Sequence, residues 1–271
     1  MIGGTLGVVI VVSLLVALLA ALIGSLVVST IGQRELSATS TKTFVVSGTP
    51  NLVLSDTAGN VTIQPGDRSQ VIVHVTKHAW GSSDAVAQGG LDHMLVDMRQ
   101  SGNTVTVSTQ FGASYFDGGP TRRTVDLLVT VPAQANADVH LAAGNLNTSR
   151  ITGAIRLDAS AGNVTADNVT FAGSSRLNTA AGNIQVNGTM ASGAMLDVHV
   201  GAGNATLTLP ADTPAHLDAS SGVGNLTISG WQIPVTHTGI SGYHASGDLG
   251  TSPTGTLTVQ VGTGNVTLRS R

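Results

Sequence analysis

From residue 137 to the C-terminus, apolar and polar positions alternate in short bursts, and the bursts recur around Gly-Asn steps. Five residues before each step stand Val139, Leu157, Leu177, Val198, Ala219 and Val259; two after it stand Leu146, Val164, Ile184, Ala205, Leu226 and Val266. The adjoining columns are polar: His140, Asp158, Asn178, His199, Ser220 and Gln260 on one side, Asn147, Thr165, Gln185, Thr206, Thr227 and Thr267 on the other. Such alternation predicts short strands with one face buried. The steps themselves are Gly144-Asn145, Gly162-Asn163, Gly182-Asn183, Gly203-Asn204, Gly224-Asn225 and Gly264-Asn265, separated by 18, 20, 21, 21 and 40 residues. A period near twenty built of strands and Gly/Asn turns predicts an all-β, parallel β-helix-like solenoid, one repeat per coil. The last gap reads as two repeats with one degenerate copy between them. In each turn, Gly supplies the positive φ, while Asn tolerates the left-handed region and offers an amide that can bond from coil to coil.

Upstream, the pattern is looser. Ile2 to Ile31 carries no charged side chain, and about twenty apolar residues suffice to span a bilayer, so an uncleaved transmembrane helix is expected. A Ser/Thr-rich stretch follows, then short alternating runs at Phe44–Ser47, Asn51–Leu54, Val61–Ile63, Val71–Thr76, Thr104–Thr109 and Thr124–Val131. Ala79 to Gly90 reads as a loop holding Trp80, Leu91 to Arg99 as a strand or a short helix, and Ser101-Gly102-Asn103 as a hairpin turn. The chain thus divides into a transmembrane anchor (1–32), a polar tether (33–43), an N-terminal β-strand region (44–131) and the repeat β-solenoid (132–271). Gly-Asn steps at Gly59 and Gly102 precede Gly144 by about four and two repeats, so the N-terminal region is expected to share the solenoid plan.

Composition narrows the chemistry. A net charge of −3 leaves no basic surface for nucleic acid. With no Cys, disulfides and Cys-ligated zinc are excluded. Glu35 is the only glutamate, so acid/base pairs must come from Asp or His. No Ser-His-Asp spacing, phosphate loop or calcium-binding nonapeptide is recognisable, and no cofactor is implied. Asp138 with Arg156, and Arg176 with Asp197, are expected to form ion pairs between coils. His140 and His199 fall three coils apart, too far to share one metal ion; His74 and His78 read as solvated surface residues. The recurrent Asn-x-Thr sequons are read as a by-product of the repeat. Between Gly230 and Thr254 the repeat breaks and brings Trp231 and Tyr243 into a chain with only 3% aromatic residues. These two are candidate contact residues, and the segment around them is expected to cap the solenoid edge.

An apolar anchor, the segment DTAGNVTIQPGD (56–67), the segment VDLLVTVPAQANADVHL (125–141) and AGN-type repeats together resemble the bacterial putative-adhesin domain family of unknown function. The resemblance spans residues 44–271. It implies a β-solenoid fold and a single-pass cell-membrane protein facing outward into the cell envelope, acting without catalysis as an adhesin, scaffold or envelope-sensing module. Arg34 and Lys42 after the apolar segment pull weakly toward a cytoplasmic C-terminus. The expected partners are the membrane, cell-wall or surface glycan, or an envelope protein. Two other readings are a polysaccharide-active enzyme using Asp158 or Asp218, and a cytoplasmic scaffold polymerising through its coils.

Overall fold

The computed structural model describes residues 33–112, 122–239 and 241–271. The expected anchor lies outside them; among the described residues, no helix is long and apolar enough to cross a membrane. The elements run β1 (Arg34–Val45), β2 (Asn51–Asp56), β3 (Gly59–Pro65), β4 (Gln70–Gly81), α1 (Asp84–Asp92), β5 (Met94–Ser101), β6 (Thr104–Phe111) and β7 (Arg122–Val131). Then come β8 (Asn136–Ser149), β9 (Thr152–Gly153), β10 (Ile155–Ala161), β11 (Val164–Phe171), β12 (Ser174–Ala181), β13 (Ile184–Met190), β14 (Met195–Ala202) and β15 (Ala205–Leu209). The chain closes with β16 (Ala215–Val223), β17 (Leu226–Ser229), β18 (Thr236–Thr238), β19 (Gly242–Asp248), β20 (Gly255–Thr263) and β21 (Val266–Ser270).

Each Gly-Asn step except Gly102-Asn103 bends the chain from one sheet into another. The first sheet runs β1-β4-β7-β3-β8-β11-β13-β15-β21-β17, and the second runs β5-β6-β2-β8-β10-β12-β14-β20-β16-β19-β18. β8 belongs to both, bending at Gly144. Both sheets are parallel at the centre; the first turns antiparallel at its β4–β1 end only, the second at both ends. The predicted apolar columns close on one another: Val139, Leu157, Leu177, Val198, Ala219 and Val259 are all fully buried. Each Val or Leu among them contributes about 1.5–3 kcal/mol by leaving water.

Sequence order is not spatial order at either end. β2 and β3 lie between the β6–β7 layer and β8. β20 and β21 lie between the β14–β15 coil and the β16–β17 coil. The forty-residue gap therefore holds no degenerate coil. Its middle forms the antiparallel pair β18–β19, which covers the outer edge of β16, and its end returns to fill the slot inside. Gly102 is also no corner: with φ 57° it makes the two-residue turn between β5 and β6.

The tether expected over 33–43 is instead most of β1, paired residue for residue with β4 from Arg34–Gly81 to Val45–Gln70. Alternating threonines at 39, 41 and 43 suit an exposed strand, and β4 supplies a partner of equal length. Trp80 lies in β4, not in a loop. Ser83 caps α1 by accepting a hydrogen bond from the Val86 N–H (3.3 Å), and the ambiguous Leu91–Arg99 run is divided between the end of α1 and β5.

Candidate functional site

The corner begins with a steric fact. Gly182 has φ 147°, and a Cβ placed there would lie 1.8 Å from the Gly162 carbonyl oxygen. The same collision repeats along the stack Gly59, Gly144, Gly162, Gly182, Gly203, Gly264 and Gly224. The backbones approach too closely for any side chain, which is a stronger demand than the positive φ alone.

Beside the glycines, the asparagines form one ladder. The Asn145 amide donates to Asn60 Oδ1 (3.1 Å), Asn163 to Asn145 (3.1 Å), Asn183 to Asn163 (3.0 Å), Asn204 to Asn183 (3.0 Å) and Asn265 to Asn204 (3.0 Å). The Asn225 N–H then donates to Asn265 Oδ1 (3.1 Å). None of these asparagines has a positive φ, so their role is the amide and not the left-handed backbone expected of them. All the side-chain donors point the same way, and the run ends on a carboxylate: Asp126 Oδ1 accepts from Asn60 N (2.7 Å) and Nδ2 (3.0 Å). Aligned amides polarise one another, and an anion at the donor end reinforces them.

Asp126 stands at the mouth of a groove of about 580 Å3 lined by Glu35, Asn60, His78, Trp80, Arg122 and Asp126, among others. Strand pairing brings these residues together: β1 and β7 flank β4, placing Glu35 and Arg122 beside Trp80. His78 Nδ1 lies 2.8 Å from Glu35 Oε1, and its Nε2 lies 3.7 Å from Asp126 Oδ2. The His78 ring stacks on Trp80 at 5.8 Å, and the Arg122 guanidinium sits 4.6 Å from the Trp80 ring centre. His74 is also engaged, with Nδ1 2.7 Å from Thr41 Oγ1. His78 is thus drawn into a partnered cluster, whereas His74 stays partly exposed at the surface, as the strand pattern suggested. The signal for this site was the chain's only glutamate, placed in what reads as a tether.

Asp56, just before the corner at Gly59, is 3% exposed. Three residues before the other corners stand Leu141, Ala159, Thr179, Val200, Ser221 and Val261, so a carboxyl here breaks an inward column. Burial pushes it up to about 6, aided by the nearby Asp126 charge and opposed by bonds from Thr109 and the Thr57 and Ala58 backbone. The Thr109 hydroxyl donates to Oδ1, while Oδ2 has no hydrogen-bond partner among the described residues.

The outer face of the second sheet carries the charges expected between coils. Arg176 pairs with Asp197 at 3.1 Å, but Asp138 turns to His140 (3.3 Å) although Arg156 is its strand neighbour. Asp158 lies 3.6 Å from His140. Among the described residues, no group of three or more potential ligands could hold a metal ion. On β16 and β19, His216 bridges Asp248 (Nδ1, 2.6 Å) and Ser246 (Nε2, 3.1 Å), the connectivity of a nucleophile relay that spacing could not reveal. His216 and Asp248 are about half exposed on a flat sheet, whereas such a relay becomes catalytic through donors preorganised for an oxyanion away from water.

Trp231 and Tyr243, the candidate contact residues, both sit in the cap. Trp231 is 9% exposed, and its Nε1 donates to the Ala211 carbonyl (3.0 Å). Tyr243 packs against the core with His237 on its edge, ring centres 4.8 Å apart. Both help close the end of the stack and fasten the β18–β19 cap: Trp231 is buried there, while Tyr243 keeps part of its surface exposed.

Two sheets meeting at a glycine corner and laced by an amide ladder define an all-β solenoid-type protein. Residues 50–208 match the family profile described as Toastrack DUF4097, and the chain belongs to that family. Among solved structures, it is similar to a putative cell adhesion protein from Clostridium sporogenes (10% identity, 86% of this chain and 100% of that one, TM-score 0.42). It is also similar to a putative adhesin from Bacteroides fragilis (14% identity, 86% of this chain and 97% of that one, TM-score 0.36). None of the curated proteins matches the chain.

Proposed function

We propose that the chain is a non-catalytic binding module of the bacterial cell envelope. In this reading, the apolar N-terminal segment holds it to the membrane and the solenoid stands outside the cell as an adhesin or scaffold. The observation that carries the proposal is the groove at the head of the asparagine ladder. There a tryptophan, an arginine, a histidine and two carboxylates converge on a rigid stack. An aromatic ring beside fixed carboxylate and amide groups suits a polyhydroxylated ligand, with the ring against its C–H face and the polar groups on its hydroxyls. The ligand class proposed is cell-wall or surface glycan.

Co-sedimentation with purified cell-wall glycan tests this. Trp80→Ala and Asp126→Asn should each weaken retention at least about tenfold, the loss of one or two good contacts, while Arg156→Ala on the flat face should not. Equal retention of all variants would move the site away from the groove. Protease treatment of intact cells carrying a C-terminal tag tests the exposure: loss of the tag is expected, and protection that ends on lysis would overturn the outward placement. A scaffold polymerising head to tail has less to rest on. The donor end of the ladder is closed by Asp126, and β4 and β1 extend the first sheet beyond it.

A further inference from the structure

β1 is the outermost strand of the first sheet, and among the described residues it pairs on one side only, with β4. It is long, twelve residues, and its register with β4 runs without a bulge. It contains no proline. Edge strands are normally guarded against pairing by charges, proline, bulges or covering segments. The charges of β1 are drawn aside. Glu35 is bound to His78, the Lys42 ammonium donates to the Met98 carbonyl at 2.7 Å, and Arg34 reaches Asp84 at 3.6 Å. What remains along the strand is Ser37, Thr39, Ser40, Thr41 and Thr43, nearly all exposed.

We infer that β1 is a self-association edge, on which a second copy of this chain adds its own β1 antiparallel across a two-fold axis. Facing residues of an antiparallel pair lie on the same side of the sheet, so the axis must lie midway between one residue and its own copy. The middle of the strand offers Thr39 or Ser40. With the axis at Ser40, Leu36 faces Phe44, Thr39 faces Thr41 and Lys42 faces Ala38. With the axis at Thr39, Lys42 faces Leu36 and Glu35 faces Thr43. In both registers every charged residue meets an uncharged one; with the axis at Ser40 all five hydroxyl-bearing residues meet each other, and with the axis at Thr39, Thr41 still meets Ser37, a favourable cross-strand pairing. The two first sheets then join into one continuous sheet. This assignment is independent of the glycan groove and goes beyond it.

The absence of cysteine makes the test direct. Facing Cα atoms on the axis lie about 4.5–5.5 Å apart, within disulfide range. Full-length Thr39→Cys and Ser40→Cys variants, in membranes and in detergent, should form a disulfide-linked homodimer under mild oxidation, at least one of them nearly completely. A Ser174→Cys variant on the second sheet should not. The uncrosslinked wild type should sediment as a dimer, and a Thr39→Lys/Ser40→Lys double variant, which sets like charges across the axis, should sediment as a monomer with unchanged circular dichroism. A monomeric wild type, equal crosslinking at Ser174, a double variant that stays dimeric, or crosslinking only to a different protein would each overturn the inference.

Discussion

Glycine at the corner does two things that separate when it is replaced. Gly173 has φ 63° with open space around its Cα, so Gly173→Ala should lower stability by about 1 kcal/mol, the cost of a left-handed alanine. Gly182→Ala adds a collision with the Gly162 carbonyl and should cost at least about 3 kcal/mol, beyond most single substitutions. Urea unfolding of the two variants distinguishes them. The ladder allows a similar comparison. Asn183 donates to Asn163 and receives both the backbone and side-chain N–H groups of Asn204, so Asn183→Ala should cost about 1–3 kcal/mol. Asn225→Ala at the open end keeps its backbone bond to Asn265 and should cost less than about 1 kcal/mol. Asp56 gives the pH dependence. Its folded value, near 6, lies above the ordinary 3.8, so the native state holds the proton more tightly than the unfolded chain. Below the ordinary value both states are protonated and nothing is lost. Stability falls as pH rises through the interval between the two values and levels off above the folded one, a total of roughly 3 kcal/mol. Asp56→Asn should therefore resemble the wild type near the ordinary carboxyl range and exceed it above neutrality. Denaturation midpoints across pH decide it, and a constant difference would count against the buried carboxyl as the cause.

At the scale of elements, strands were legible wherever a side-chain period of two met a buried face. The columns through Val139 and Leu146 were readable because burial acts on every second residue. Elements held by a neighbour were not. β1 exposes both faces, so its sequence carries no alternation and its strand character comes from β4. α1 has nine residues, two of them adjacent glycines, and takes its stability from the Ser83 cap and the packing of Ala87 and Leu91. The groove was hidden for the same reason: Glu35, His78 and Asp126 are far apart in sequence and meet only because β1 and β7 flank one strand. The Asp56 anomaly was legible in principle as a charge in an inward column. The cap was legible as a break in the repeat, but rarity alone could not show that Trp231 is a packing anchor, because it marks an anchor as readily as a contact. Trp231→Ala should consequently lower the unfolding midpoint, by about 3–5 kcal/mol in free energy, while leaving glycan retention intact. Thermal melts and co-sedimentation on the same sample check both parts.

For the whole molecule, the period identified the solenoid, but counting along the chain placed the last coil at the end of the stack. The repeat columns are interchangeable: Val259 can stack on Val198 as well as on Ala219, and it does both. Nothing in a periodic sequence distinguishes the next storey from a storey inserted below it. The insertion bears on how the protein is made. A chain that added coils strictly in order would shorten gracefully, each missing tail removing only a roof. Here residues 255–270, made after every strand they pair with, are an interior floor. Until they arrive, β14–β15 and β16–β17 each lack the strand that pairs with their inner edge, leaving backbone groups and apolar side chains uncovered. A chain ending at Thr254 should accordingly be rapidly degraded by a protease that spares the full-length protein, with cuts beginning at both of these edges. Synthesis through β21 thus becomes a condition of solubility, and a cell's ordinary proteolysis would remove every copy that stops short of it.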